Sequence, residues 1–351
     1  MKTILVTGGC GYIGSHTCLA LLQANYNLIV IDSNINSSKI SLNKVIEIGR
    51  LNNQEYKKRL TFIQGDIRNK VLLNDIFSKA INKNNRIEAV IHLAGLKAVS
   101  KSVKEPMIYW ESNVWGSLVL FQIMEKFNCF NIVFSSSATV YGVKDKGYLS
   151  EESNLEPSNP YGETKLAIEK ILSDIFKSSP QKWRIVNLRY FNPIGAHPSG
   201  LIGENPLTLP DNLFPFICKV ASRKLSHLNI FGNDWPTFDG TCIRDYIHVM
   251  DLAESHLCAL EYLFRNKTQN LSLNIGTGKG TSVIELVNTF IKVNNCKVPY
   301  KFVNRRDGDV PFVVAENKLS ISKLDWSPKR SLIEMCKDGW IWQQNNPEGY
   351  K

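Results

Sequence analysis

No apolar stretch in this 351-residue sequence approaches the roughly 20 residues needed to span a bilayer. The amino-terminal run Met1–Thr7 carries a lysine and a few apolar residues, but Gly8 and Gly9 break it well short of a signal-peptide core. There is no Cys-x-x-Cys pair; the eight cysteines (10, 18, 129, 218, 242, 258, 296 and 336) are dispersed. That spacing excludes a zinc ribbon and a thioredoxin-like motif, and points to reduced core thiols in a cytoplasmic enzyme. No His-Glu-x-x-His or other ligand cluster occurs, so no metal is expected. Basic clusters are equally scarce. Forty-two Lys and Arg against 32 Asp and Glu give a net charge of +10, yet the charges are scattered, with one short run at Lys57-Lys58-Arg59. Neither nucleic acid nor membrane is an expected partner, and the positive field would help to collect a small anion. With 43% hydrophobic and 21% charged residues, the chain is neither disordered nor a disulfide scaffold, and it is long enough to bury a large core.

What is present is a rhythm. Short apolar runs at 4–7, 28–32, 60–63, 89–93, 132–135 and 184–189 alternate with helical patterns at about 12–25, 41–48, 71–83, 106–128 and 161–177. The apolar runs lack period-two alternation, as strands covered on both faces do. This predicts an α/β fold built on a doubly wound parallel sheet of the Rossmann type. The rhythm breaks after Arg189. Residues 192–245 are rich in Pro, Gly and Asn and read as loops and short elements wrapped around a ligand. Helix, strand and helix are expected again at 249–264, 272–275 and 283–291. The division expected is a dinucleotide-binding domain over 1–190 and a smaller α/β substrate domain over 191–351, with about 240–265 returning to the first.

Gly8-Gly9-Cys10-Gly11-Tyr12-Ile13-Gly14 follows the first strand and opens the first helix. Gly8 allows a tight turn, Gly11 a close approach of backbone to pyrophosphate, and Gly14 the packing of helix on strand. Asp32 ends the second strand, where a carboxylate accepts from an adenosine ribose hydroxyl and repels a 2′-phosphate, favouring NAD over NADP. Tyr161 and Lys165 stand four residues apart on a predicted helix and share a face. The ammonium and a nicotinamide cation are expected to lower the phenol pKa and make it a general base toward a hydroxyl. The fifth strand runs into Ser135-Ser136-Ser137-Ala138-Thr139, which puts hydroxyls at a carboxyl strand end, with Ser137 and Thr139 able to bridge a substrate hydroxyl and Tyr161.

Together these residues resemble the extended short-chain dehydrogenase/reductase family. The segments Thr7–His16, Ala94–Val99, Ser135–Gly142, Arg189–Gly200, Arg244–Leu252 and Arg305–Asp309 are similar to those of its UDP-glucose 4-epimerase branch. The resemblance covers almost the whole chain. It implies reversible C4 epimerisation of UDP-glucose and UDP-galactose through a 4-keto sugar, with bound NAD regenerated each cycle, in a homodimer. It also implies an NAD site formed by Gly8, Gly11, Tyr12, Ile13, Gly14, Asp32, Asn36, Ser37, Asp66, Ile67, Leu93, Ala94, Gly95, Lys97, Asn113, Tyr161, Lys165 and Phe191. The UDP-hexose site implied comprises Ser137, Tyr161, Asn192, Asn212, Phe231, Arg244, Arg306, Asp309 and Val313, with the two arginines as forks for the diphosphate. Val313 stands where a bulky tyrosine accompanies relatives restricted to UDP-glucose and UDP-galactose, so acceptance of N-acetylated UDP-sugars is expected too.

The rival readings are a nucleotide-sugar 4,6-dehydratase and a non-catalytic NAD-sensing protein. The first needs an acidic pair where Ala138 and Thr139 stand; the second typically lacks the Tyr/Lys pair present here. Gly276-Thr277-Gly278-Lys279-Gly280 lacks phosphate-loop spacing and reads as a strand-to-helix turn. His92 sits in an apolar strand and reads as a core residue. Trp115 departs from the small or polar residue usual in relatives, and no role is assigned to it.

Overall fold

The computed structural model describes residues 1–142, 147–206, 212–306 and 308–350. In its first half, β1 (Thr3–Thr7), α1 (Tyr12–Gln23), β2 (Asn27–Asp32), α2 (Ile40–Leu51), α3 (Tyr56–Arg59), β3 (Leu60–Gln64), α4 (Lys70–Asn82) and β4 (Ile87–His92) follow in order. Then come α5 (Val99–Lys104), α6 (Pro106–Tyr109), a π-helix (Trp110–Trp115), α7 (Gly116–Lys126), β5 (Asn131–Ser137), β6 (Tyr148–Leu149), α8 (Pro160–Ser178) and β7 (Arg184–Tyr190). Seven strands form one parallel sheet in the order β11-β7-β5-β4-β1-β2-β3, where β11 is Gln269–Ile275. Apolar side chains cover both faces. α1, α2 and the later α10 (Val249–Arg265) close one side through Leu19, Leu22, Leu42, Val45 and Leu260; α4, α7 and α8 close the other through Phe77, Leu120, Phe121 and Leu172. Each fully buried Leu or Ile there contributes about 2 kcal/mol of transfer free energy. The expected doubly wound α/β sheet is therefore what these residues build.

The order reverses between β1 and β4, which opens a crevice at their carboxyl ends. Every strand of the sheet points its carboxyl end to that one side.

After β7 the chain forms β8 (Asn192–Ile194), α9 (Leu213–Ala221), β9 (Leu228–Phe231), β10 (Ile243–His248), α10 (Val249–Arg265), β11, β12 (Gly280–Ser282), α11 (Val283–Asn294), β13 (Tyr300–Val303), β14 (Phe312–Ala315), α12 (Lys318–Leu324) and α13 (Leu332–Asn345). A second sheet runs β12-β10-β14-β6, with β8 against β10, and β9 pairs with β13. A separate core of Phe214, Ile217, Leu286, Phe290, Met335 and Cys336 joins α9, α11 and α13. Ser282 with Glu285, and Ser331 with Glu334, make reciprocal capping boxes that start α11 and α13. α10 packs on α1 and on β5 and β7, while β10 lies in the second sheet.

The stretch 192–245 holds loops and short elements, as expected: a nine-residue helix, two complete short strands and the start of β10; its residues 207–211 lie outside those described. Pro193 sits in β8 and Pro215 in the first turn of α9, positions where a proline is tolerated. One expectation needs correction. The single helix expected over 106–128 is three pieces, broken by the π-helix. Among the described residues no helix is long and apolar enough to cross a membrane.

Candidate active site

The glycine turn is shaped by contact. Gly8 has φ +72°, and a Cβ there would lie 2.7 Å from Ala94 N. A Cβ on Gly14 would press into Gly8 O and the Gly9 backbone, so α1 can sit this close to β1 only with glycine. Gly11 is different: its Cβ would meet nothing nearer than 3.4 Å, so the fold itself leaves that position open. Gly11 is the N-cap of α1, no side chain caps it, and no acidic residue stands in the first turn. The helix thus presents an uncapped amino terminus to the crevice, a site suited to phosphate.

Asp32 closes this turn from β2. One carboxylate oxygen accepts from Cys10 N at 2.9 Å, and the other from Asn34 N at 2.9 Å and Ser37 Oγ at 2.7 Å. Asn36 is exposed beside it. Asp66 is gripped by the Arg68 fork, which holds its carboxyl below the usual range. Ile67 is buried against Gly116. Tyr12 turns its phenol away to donate to Gly195 O at 2.6 Å, and its ring edge meets His16, so its backbone is what faces the turn. Ile13 packs on the core.

Leu93, Ala94 and Gly95 follow β4, with Ala94 N donating to Thr7 Oγ1 at 3.2 Å. Lys97 pairs with Glu204 at 2.9 Å, and Asn212 Nδ2 donates to the same carboxylate at 3.4 Å. Asn113 sits inside the π-helix and is buried. Its amide clamps the 93–98 loop, accepting from Leu96 N at 2.8 Å and donating to Leu96 O at 3.1 Å and Thr164 Oγ1 at 3.0 Å. The extra residue of a π turn swings this side chain inward, a distortion typical of functional helices. Behind it, Ser117 donates to Asn113 O, His92 bonds Ser117 at 2.8 Å and Thr7 bonds His92 at 2.7 Å. His92 is thus a satisfied core residue, and burial holds its pKa down to about 3. Trp115 lies half-exposed at the outer end of the π-helix.

At the reacting centre, α8 is started by Asn159, whose side chain accepts from Gly162 N at 2.9 Å, with Pro160 at the first position. This places Tyr161 and Lys165, both buried, over the end of β5. Lys165 Nζ donates to Ser135 O at 2.8 Å and stands 5.9 Å from the Tyr161 ring centre. Ser137 Oγ accepts from Thr139 N at 3.2 Å and Thr139 Oγ1 at 3.0 Å, which directs its own proton elsewhere. Burial pushes the Tyr161 phenol up to about 12, while the neighbouring Ser137 hydroxyl pulls it down. Burial also brings Lys165 down to about 8. Burial dominates the phenol of the protein alone, so the expected lowering needs the nicotinamide cation as well as the Lys165 ammonium.

The implied sugar-nucleotide residues come from the second half. Phe191 is buried beside Tyr141, Leu166 and Ala138, and Val313 packs on this group. β14 and β10 place Val313 opposite Arg244. Arg244 forms an ion pair with Asp309. Arg306 is exposed and stacks over Phe231, with 4.5 Å from guanidinium to ring centre. Arg305 instead pairs with Asp234 at 2.8 Å and covers Trp235. Asn192, on β8, is exposed.

The glycine turn at 276–280 is not a phosphate loop: the buried Asp245 carboxylate fills it, accepting from Thr277 N, Gly278 N and Ala315 N. Reading the sequence missed Glu204, which ties two candidate segments together, and a buried group of Ser136, Glu169 and Arg189. Glu169 was detectable in principle, since it lies on the Tyr161 and Lys165 face of α8, two turns beyond Tyr161.

Comparison with known proteins agrees with this geometry. Residues 5–339 match the family described as GDP-mannose 4,6 dehydratase. The chain is 49% identical to a UDP-glucose 4-epimerase of Bacillus subtilis, covering 99% of this chain and 98% of that one. It is 47% identical to UDP-glucose 4-epimerase 2 of Arabidopsis thaliana, covering 99% and 97%. Among solved structures, UDP-glucose 4-epimerase of Stenotrophomonas maltophila, with NAD and a formylated UDP-arabinopyranose, superposes with a TM-score of 0.92 at 41% identity over 99% of both chains. The enzyme of Bifidobacterium longum, with NAD and UDP, gives 0.91 at 39% identity, covering 99% and 100%. Sharing 39–49% of its residues with these enzymes over nearly the full length, the chain belongs to the UDP-glucose 4-epimerase family.

Proposed function

We infer that the protein is an isomerase, an NAD-dependent UDP-glucose 4-epimerase that interconverts UDP-glucose and UDP-galactose. The observation that carries this reading is the meeting of Tyr161, Lys165 and Ser137 at the carboxyl end of β5, beside the uncapped amino terminus of α1. NAD fits the crevice: the open Gly11 position, the free helix end and the Asp32 carboxylate at the end of β2 suit a pyrophosphate and a ribose. When bound, NAD supplies a hydride acceptor and donor that is restored at the end of each cycle, together with a positive ring.

The residues of the chain do the rest. Tyr161 takes the proton of the sugar 4-hydroxyl, and returns it after the 4-keto sugar has turned its other face. Ser137, with its lone pairs held by Thr139, gives its own proton to the Tyr161 oxygen or the sugar oxygen and fixes the line of transfer. Lys165 keeps a positive charge near the phenol. Arg244 and Arg306 hold the diphosphate, Phe231 and Asn212 flank the nucleotide end, and Asn192, Asp309 and Val313 border the hexose. Firm binding of the diphosphate with loose binding of the hexose permits rotation without escape. Gly8, Tyr12, Ile13, Gly14, Asn36, Ser37, Asp66, Ile67, Leu93, Ala94, Gly95, Lys97, Asn113 and Phe191 border the dinucleotide. Ala138 and Thr139 offer no carboxylate, so elimination of water is not favoured.

Residues 1–190 with α10 and β11 serve the dinucleotide, and the second sheet serves the sugar nucleotide. The protein pairs with a second copy through α5, α6 and the π-helix, where Val103, Met107, Ile108, Trp110 and Trp115 are exposed apolar side chains. Light scattering tests this: a double change Met107→Lys and Trp115→Lys yields a monomer. The function itself is tested by incubating purified protein with UDP-galactose and no added reductant. UDP-glucose forms; its failure to appear would refute the reading.

A further inference from the structure

Three consecutive serines of β5 meet three residues spaced one turn apart on α8. Ser137 neighbours Tyr161, Ser135 O accepts from Lys165 Nζ, and the Ser136 hydroxyl donates to Glu169. Tyr161, Lys165 and Glu169 fall at i, i+4 and i+8, one stripe of the helix. Glu169 is buried and does not stand alone. Arg189 of β7 grips it through Nε at 3.0 and 3.2 Å and Nη2 at 2.6 Å. Arg189 Nη1 in turn donates to Tyr141 OH at 3.0 Å and Glu151 O at 3.2 Å. One carboxylate therefore ties α8, β5 and β7 together directly beneath the reacting centre.

We propose that Glu169 is a positioning residue of the epimerisation, holding the Ser135–Ser137 strand end in register with Tyr161 and setting a carboxylate one turn from Lys165. The proposal rests on the epimerase reading for its kinetic part. A buried ion pair is a poor source of stability, because desolvation cancels much of its attraction. Placed here, however, its carboxylate lies one helical turn from a lysine that must stay protonated in a desolvated pocket. Glu169 is the carboxylate acting on Lys165 against desolvation. The other groups facing Lys165 do not replace it. The Tyr161 phenol on its own helix, Tyr190 of β7 and His92 of β4 are neutral at pH 7, burial raising both phenols and lowering the histidine. His256 of α10, bonded to Ser135 Oγ at 2.8 Å, is held neutral in the same way. Beyond Arg189, Tyr141 is also raised to about 12, and the Glu151 carboxyl is raised by burial.

The test compares wild type, Glu169→Gln and Glu169→Asp as holoenzymes. Glu169→Gln lowers kcat on UDP-galactose about tenfold with KM within about twofold, and moves the alkaline limb of kcat down by about one pH unit. Glu169→Asp restores the limb. A second readout needs no turnover: the Lys165 Cε resonance in lysine-labelled protein, assigned by its loss in Lys165→Met, titrates at lower pH in Glu169→Gln. Should Glu169→Gln fold poorly, Glu169→Asp and wild type still carry the comparison, since the shorter acid preserves the charge and displaces Ser136, so kcat falls while the limb stays. An equal loss of kcat at all pH values in Glu169→Gln, with the Lys165 titration unmoved, overturns the proposal. Failure of wild type to epimerise UDP-galactose would refute the functional reading alone, because the lysine titration is judged without it.

Discussion

Lys165 does not touch the Tyr161 hydroxyl. Its ammonium is anchored on Ser135 O at 2.8 Å and lies 5.9 Å from the Tyr161 ring centre, over the face of Phe134. Any action of the lysine on the phenol is therefore through space, as a charge held at fixed distance, and Ser137 is the hydroxyl that neighbours Tyr161. Tyr161→Phe leaves every one of the Lys165 contacts in place and removes only the base. It should retain NAD, read as bound nucleotide released on denaturation, while turnover falls about a thousandfold or more. Lys165→Met should keep the fold and push the acid limb of kcat upward, because the phenol loses the charge that opposes its desolvation.

The glycine turn separates folding from cofactor binding. Gly14→Ala would drive a methyl into Gly8 O and the backbone of Gly9, so the variant should lose about 2 kcal/mol or more of stability, measured by denaturant unfolding. Gly11→Ala meets only an ordinary contact at 3.4 Å. It should fold normally and bind NAD at least about tenfold more weakly, as the added methyl stands where the pyrophosphate approaches. Equal NAD content in the Gly11→Ala and wild-type proteins would contradict the placement.

Val313 tests the width of the hexose pocket. It is half-buried against Ala138 and Phe191, one strand away from Arg244. The wild-type enzyme should turn over UDP-N-acetylglucosamine, and Val313→Tyr should lose that activity at least about tenfold while keeping UDP-galactose turnover. No reaction of wild type with the N-acetylated sugar at high enzyme concentration would remove the wider specificity.

Stability should fall in acid through three buried histidines. His16, His92 and His256 are fully buried, and burial holds their pKa values at about 3, 3 and 4. Folded values below the ordinary 6.5 mean that the unfolded chain binds more protons in the window from 6.5 down to these values. Each such group removes about 1.4 kcal/mol per pH unit across that window. Glu151 and Asp245, whose carboxyls are raised by burial, oppose this more weakly at the acid end. Calorimetric unfolding at pH about 5 should therefore show a lower Tm than at pH about 7, and His256→Gln should reduce the difference. An unchanged Tm would contradict the buried neutral state.

The parallel sheet was readable because strands buried on both faces leave continuous apolar runs, as in Ile4–Val6 and Ile132–Phe134, and because the glycines mark where α1 meets β1. The π turn was not readable. Its hydrophobic period differs from that of an α-helix by one residue over a turn, and what stabilises it is Asn113 bonding to Leu96 and Thr164, seventeen residues before and fifty-one after it. β10 was hidden for a similar reason: the sequence Ile243-Arg244-Asp245-Tyr246-Ile247-His248 sets two charged residues side by side with no continuous apolar run, and its partners lie on β8, β12 and β14.

Local chemistry determined by itself the glycine turn, the Tyr161–Lys165 spacing on one helix face and the place of Asp32 at the end of β2, since each depends on residues within a turn or a strand of one another. Only the tertiary fold decided how charged the centre is. The balance between burial, which raises the Tyr161 phenol and lowers Lys165, and the carboxylate of Glu169 is set by groups brought together from β5, β7 and α8. A desolvation cost depends on everything packed around a group, and no local pattern carries that information.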